Sequence, residues 1–158
     1  MHSDCIHKQP NAATCFVCGR DNPSGLKMQF YDNGGDTVKS VITLDERFQG
    51  YPEIAHGGIL ACMLDEVVGR VAMIDDHHRF MMTVNLKVQY RHPVPINTQL
   101  TAIGKAIRIR GRIGKAEGKI YLPDGLVACE AELTLANMPR EIATQRRIGS
   151  LGWQVDPD

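Results

Sequence analysis

The 158-residue chain is short of several things, and each shortage closes off a class of protein. It has no net charge, with 18 Lys and Arg against 18 Asp and Glu. It therefore lacks the basic excess that sequence-independent phosphate binding demands, and no nucleic-acid partner is expected. Its apolar runs all fall short of the roughly 18 residues of a membrane helix, and its first residues, MHSDCIHKQPNAATC, hold no apolar stretch of signal-peptide length. No membrane partner is expected, and a cytoplasmic location fits. Cysteine is scarce and odd in number at five, with Cys62 and Cys129 inside apolar segments and Cys5, Cys15 and Cys18 near the start. That is a poor disulfide framework and suits a reducing compartment. Repeats and low-complexity runs are absent. What remains is an ordinary globular composition, 43% hydrophobic, in a length that can bury about 70% of its unfolded surface without a staple.

Three zones separate by composition: a Cys- and His-containing lead over 1–24, a patterned body over 25–136 and a charged tail over 137–158. In the body, Leu26, Met28 and Phe30 alternate with polar residues, and Val38, Ser40, Ile42 and Leu44 continue the period of two after a turn at Asn33–Asp36. Two strands are expected there. From His56 the period lengthens: Ile59, Leu60, Met63, Leu64, Val67, Val68 and Val71 make an apolar stripe on a helix that starts at Gly57-Gly58 and ends near Ile74. A strand follows in which Met82, Val84, Leu86, Val88 and Tyr90 face one way and Thr83, Asn85, Lys87 and Gln89 the other. Three more strands run over 99–110, 115–122 and 126–135, the last two joined by the turn Pro123-Asp124-Gly125. The order β-β-α-β-β-β-β implies an α+β fold, an antiparallel sheet wrapped around one long central helix.

On that helix Asp65 falls on the flank opposite the stripe, among Ala61, Cys62, Gly69 and Ala72. A carboxylate among small side chains is either a reactive group beside a narrow cleft or an ordinary residue of a solvated face. The stretch YPEIAHGGILACMLDE (51–66), preceded by CFVCGRDNPSGLKMQF and followed by TVNLKVQYRHPVP, resembles the hotdog-fold acyl-CoA thioesterases, particularly the phenylacetate-pathway type and its mammalian relatives. The similarity spans roughly Cys15 to Ala136. Its specific part is HGG with an acidic residue nine positions after the His, set before an alternating strand that ends in Tyr-x-x-Pro.

The resemblance implies hydrolysis of an acyl-CoA thioester to free acid and coenzyme A, with no cofactor. Asp65 matches the family's catalytic carboxylate, acting as general base on water or as nucleophile. His56-Gly57-Gly58 matches the helix start whose backbone N–H groups hold the thioester oxygen, and Thr83 matches a hydroxyl that orients the carboxylate or the water. The family's polar residue six positions before the His, often Asn, is Gly50 here, so Gln49 or His56 would have to supply its contact. Independently of the family, unpaired N–H groups and the positive end of the helix dipole at Gly57-Gly58 would stabilise charge developing on a carbonyl oxygen.

Helical rise separates His56 from Asp65 by roughly 13 Å, too far for one thioester to touch both. A site using both ends must be shared between protomers, so a homodimer or a dimer of dimers is expected. For the nucleotide end of coenzyme A, Arg108, Arg110 and Arg112 lie in a basic stretch from Lys105 to Lys119 that holds only Glu117 in opposition. These charges serve either phosphate binding or the protection of an edge strand. The acyl end could be lined by Tyr51, Ile54, Leu60, Met63, Met81 or Met82. Cys15-Phe16-Val17-Cys18-Gly19 has zinc-knuckle spacing, and Cys5 and His7 could complete a Cys₃His set; packing is the other reading. Two further functions compete: an acyl-CoA-binding hotdog module without catalysis, which Gly50 favours, and a hotdog hydratase or dehydratase pairing His56 with a carboxylate.

Overall fold

A computed structural model describes residues 6–144 and 148–158. His56, in extended conformation, caps the helix α1 (Gly57–Gly69) through its side chain, and the chain tightens into a 3₁₀ turn over Arg70–Met73 before the apolar period gives out. Leu60, Met63, Leu64, Val67 and Val68 are its buried face, the stripe expected from the periodicity.

The strands are β1 (His7–Lys8), β2 (Tyr31–Asp32), β3 (Thr37–Thr43), β4 (Met81–Tyr90), β5 (Gln99–Arg110), β6 (Ile113–Tyr121) and β7 (Val127–Asn137). They form one antiparallel sheet in the order β1-β2-β3-β5-β6-β7-β4, with α1 packed across β5, β6, β4 and β7. The helix lies very close to the sheet. A Cβ on Gly104 of β5 would collide with the Val67 carbonyl, so only glycine permits this approach. At the β6–β7 turn Gly125 takes φ +86° and the Asp124 side chain accepts from the Leu126 N–H at 2.9 Å, the turn chemistry that Pro-Asp-Gly implies.

Three local expectations need correction. Leu26, Met28 and Phe30 are buried as their alternation implies, but they do not join the sheet; strand pairing here is only the two residues of β2. Leu26 and Met28 instead donate backbone bonds to Phe16 and Val17 of the lead, so the lead takes the partner's place. The lead also supplies β1, a seventh strand that its polar composition did not announce. In β4 the pairing with β7 runs Thr83↔Leu135 and then Asn85↔Thr134, leaving Val84 as a bulge. The bulge reverses the facing of what precedes it, so Thr83 shares the helix side with Leu86, Val88 and Tyr90, while Val84 is 64% exposed.

Lead and tail meet on the far side of α1. Arg70, 1% exposed, stacks on Phe30 and Trp153 at 4.3 and 5.1 Å and donates to Glu66, to the Pro10 carbonyl and to Asn11 Oδ1. Asn11 bridges to Gln154, and Asp156 receives Asn11 and Arg20. No helix among the described residues is long and apolar enough to cross a membrane.

Candidate active site

Asp65 sits half-buried on α1, and the β4 bulge brings Thr83 to it: Thr83 Oγ1 donates to Asp65 Oδ1 at 2.6 Å. Oδ2 accepts from no described residue, so one oxygen is oriented and the other is free. Cys62 lies one helical turn back, and burial, aided by the Asp65 charge, pushes its thiol up. It stays protonated at neutral pH.

At the other end of the helix, His56 Nδ1 accepts the Gly58 N–H at 2.9 Å. That bond makes Nδ1 the acceptor and leaves Nε2 as the ring's donor. It also engages one of the two N–H groups expected to hold an oxyanion, so the helix-start N–H without a described acceptor is that of Gly57. Tyr90, at the end of β4, donates its hydroxyl to the Gly57 carbonyl at 2.7 Å. Burial pushes this phenol up, keeping it a donor. Sequence reasoning placed Tyr90 on the inner face of its strand but did not assign it this contact; the Tyr-x-x-Pro ending was the available signal.

Gly50 and Gln49 lie beside His56. A Cβ on Gly50 would stand 3.2 Å from His56 Cδ2, so the position matched to the family's Asn borders the imidazole directly. Gln49 Oε1 accepts the Glu53 N–H at 3.0 Å and braces its own turn, leaving its amide nitrogen as the group that could reach a substrate. Ile54, Leu60, Tyr90, Pro93 and Val94 border an apolar groove against Gly57. Of the other residues offered for acyl contact, Met63 is fully buried in the core and Tyr51 stands in solvent.

Arg108 and Arg110 end β5, and Arg112 occupies its turn into β6; all three are exposed. The ladder sets their position: Thr83 pairs with Leu135, Leu135 with Gly114 and Gly114 with Ile109. The basic hairpin thus lies at the Asp65 end of the sheet, about 14 Å away across three strand spacings. Arg108, Arg110 and Lys115 line a shallow groove there. Asp65 and Thr83 are therefore brought together, as are His56, Gly57, Gly58, Gln49 and Gly50, but the two groups stand at opposite ends of one helix.

Of the proposed Cys₃His set, Cys5 lies outside the described residues and His7 pairs with Asp32 in β1. Cys15 and Cys18 do converge. The Cys18 thiol, hydrogen-bonded to Cys15, holds Cys15 down at about 6, and the same bond, with burial, pushes Cys18 up.

Comparison with known proteins agrees with this architecture. A family profile described as the thioesterase superfamily matches residues 53–129. The acyl-coenzyme A thioesterase THEM4 of Rattus norvegicus is 26% identical over 83 residues, which cover 52% of this chain. The match spans only 35% of that relative's own length. A crystal structure of a thioesterase superfamily protein, 29% identical, superposes with a TM-score of 0.70 over 78% of this chain and 60% of the other. A hypothetical thioesterase of Streptococcus pneumoniae, solved with coenzyme A, is 19% identical and superposes with a TM-score of 0.61 over 66% of this chain and 82% of its own. With an antiparallel sheet laid around one helix, an HGG helix start and Asp65 nine residues after its His, the chain has the hotdog fold of the thioesterase-superfamily structures it resembles and matches that superfamily's profile over residues 53–129.

Proposed function

We propose that the chain is an acyl-CoA thioesterase that hydrolyses its substrate to a free acid and coenzyme A, with Asp65 as the group that acts on the thioester. The observation that carries this reading is the Thr83–Asp65 contact at 2.6 Å, which fixes one carboxylate oxygen and leaves the other open. As general base, Oδ2 takes a proton from water while the water oxygen adds to the thioester carbon. As nucleophile, Oδ2 adds there itself, and water then cleaves the resulting anhydride. In both routes the C–S bond breaks when the oxyanion collapses, and the coenzyme A thiolate leaves and takes a proton. The Gly57 N–H and His56 Nε2–H are the donors for that oxyanion, and the second fills the role left vacant by Gly50. The basic hairpin at Arg108, Arg110 and Arg112 suits the phosphates of coenzyme A, and the groove along Ile54, Leu60 and Val94 suits the acyl group.

One protomer cannot close this site, because Gly57 and Asp65 are separated by eight helical residues, about 12 Å of rise. β4 is the open edge of the sheet and runs antiparallel to α1, with Tyr90 at Gly57 and Thr83 at Asp65. A second copy paired edge to edge about a two-fold axis sets the Asp65 end of one chain against the Gly57 end of the other. The proposed enzyme is therefore a dimer, or a dimer of dimers, with shared sites.

The test is thiol release from a panel of acyl-CoAs by the wild type and by Asp65→Asn, which keeps shape and removes the base. Turnover that falls by ~10²–10⁴ in the variant is expected. Binding of acyl-CoA, seen as a raised Tm, without release from any thioester would overturn hydrolysis and leave a binding module.

A further inference from the structure

A second reactive cluster lies where the lead crosses α1. Cys15 Sγ, Cys18 Sγ and a Glu66 carboxylate oxygen lie within 4.8 Å of one another, with Cys18 buried and the other two half-buried. Ligands on a tetrahedron of 2.3 Å bonds stand about 3.8 Å apart, so the three atoms need to close by no more than about 1 Å to share an ion.

Local folding prepares this arrangement. The five residues from Cys15 to Gly19 close one turn through the Gly19 N–H and the Cys15 carbonyl at 2.8 Å. Within it, the Val17 and Cys18 N–H groups point at Cys15 Sγ at 3.3 and 3.4 Å. Backbone donors aimed at sulfur stabilise a thiolate ligand. Gly19 is obligatory, because a Cβ there would strike the Cys15 backbone. Glu66 is prepared from its other side: Arg70 Nε and Nη2 both bond Oε1, at 3.0 and 2.9 Å, and Oε2 accepts from no described residue. An outer cation that holds one oxygen and leaves the other free to ligate is the usual support for a metal-bound carboxylate. Charge also balances, since two thiolates, one carboxylate and a divalent cation sum to −1, which buried Arg70 neutralises.

We propose that Cys15, Cys18 and Glu66 bind a thiophilic divalent cation, zinc before others, with a fourth coordination position open to a further donor. Two sulfur ligands select zinc over magnesium or calcium. Binding displaces the Cys18 thiol proton, with whatever fraction Cys15 still carries, as two metal–sulfur bonds form, and ties the lead to α1. The site does not depend on the hydrolase reading.

The experiment is titration of the reduced full chain with Co²⁺, which reports thiolate ligation by a near-ultraviolet charge-transfer band. Saturation at one equivalent, displacement by Zn²⁺ and release of protons are expected. Cys18→Ser should abolish the band, Glu66→Gln should weaken binding tenfold or more, and Cys62→Ser and Cys129→Ser should leave it unchanged. Because Cys18 is buried and its variant can misfold, protection of Cys15 and Cys18 from alkylation by Zn²⁺ in the wild type, mapped by mass spectrometry, provides a variant-free reading. No thiolate band, a band that survives Cys18→Ser in a folded protein, or thiols alkylated equally with and without Zn²⁺ would each overturn the site.

Discussion

Thr83 shows how one hydroxyl divides the work of a carboxylate. By occupying Oδ1 it orients the Asp65 carboxylate and leaves Oδ2 without a partner among the described residues. Thr83→Val preserves the branched shape and removes the donor, so kcat for thioester hydrolysis should fall about tenfold, as for the loss of roughly 1.4 kcal/mol of orientation, with KM little changed. Thr83→Ser restores the donor and should recover most of the rate. A Val variant at full activity would reduce Thr83 to a packing residue. At this scale the sequence was partly legible: the helical period put Asp65 on the small-residue flank, and the HGG spacing linked it to the helix start. It did not reveal that His56 holds the Gly58 N–H, because capping geometry depends on a side-chain torsion that no pattern encodes.

Elements repeat that lesson through their edges. β5, β6 and β7 were readable because they are long and the turn between β6 and β7 carries Pro, Asp and Gly at positions that physics prefers. The bulge at Val84 was not, since an alternating pattern reads the same whether or not one residue drops out of the ladder. Its omission reversed the face assigned to Thr83. Leu26, Met28 and Phe30 show the converse case, in which burial follows from the pattern but the hydrogen-bond partner is chosen by the tertiary fold. The free edge of β4 supports an elemental prediction. If the proposed dimer forms through that edge, Val84→Lys should leave only monomer by analytical ultracentrifugation and abolish the proposed thiol release while circular dichroism stays unchanged. An active monomer would end the shared-site reading.

The whole molecule is closed by contacts between residues far apart in the chain, which is why they were illegible beforehand. Arg70 joins α1 to Pro10 and Asn11 in the lead and to Trp153 in the tail, partners at least 59 positions away. Arg70→Met keeps the stem but strands Glu66 and the polar groups of the lead. A loss of about 3 kcal/mol is expected, a fall in Tm of roughly 10 °C by calorimetry. A fall of a degree or less would show that the ends dock without it. Trp153 is the only tryptophan in the chain, and its ring meets Arg70 and Phe80 while its indole N–H donates to the His77 carbonyl. The molecule thus carries a built-in optical reporter at the point where its two ends are fastened. Its emission follows the docking of the tail without any label, and separates release of the ends from melting of the sheet.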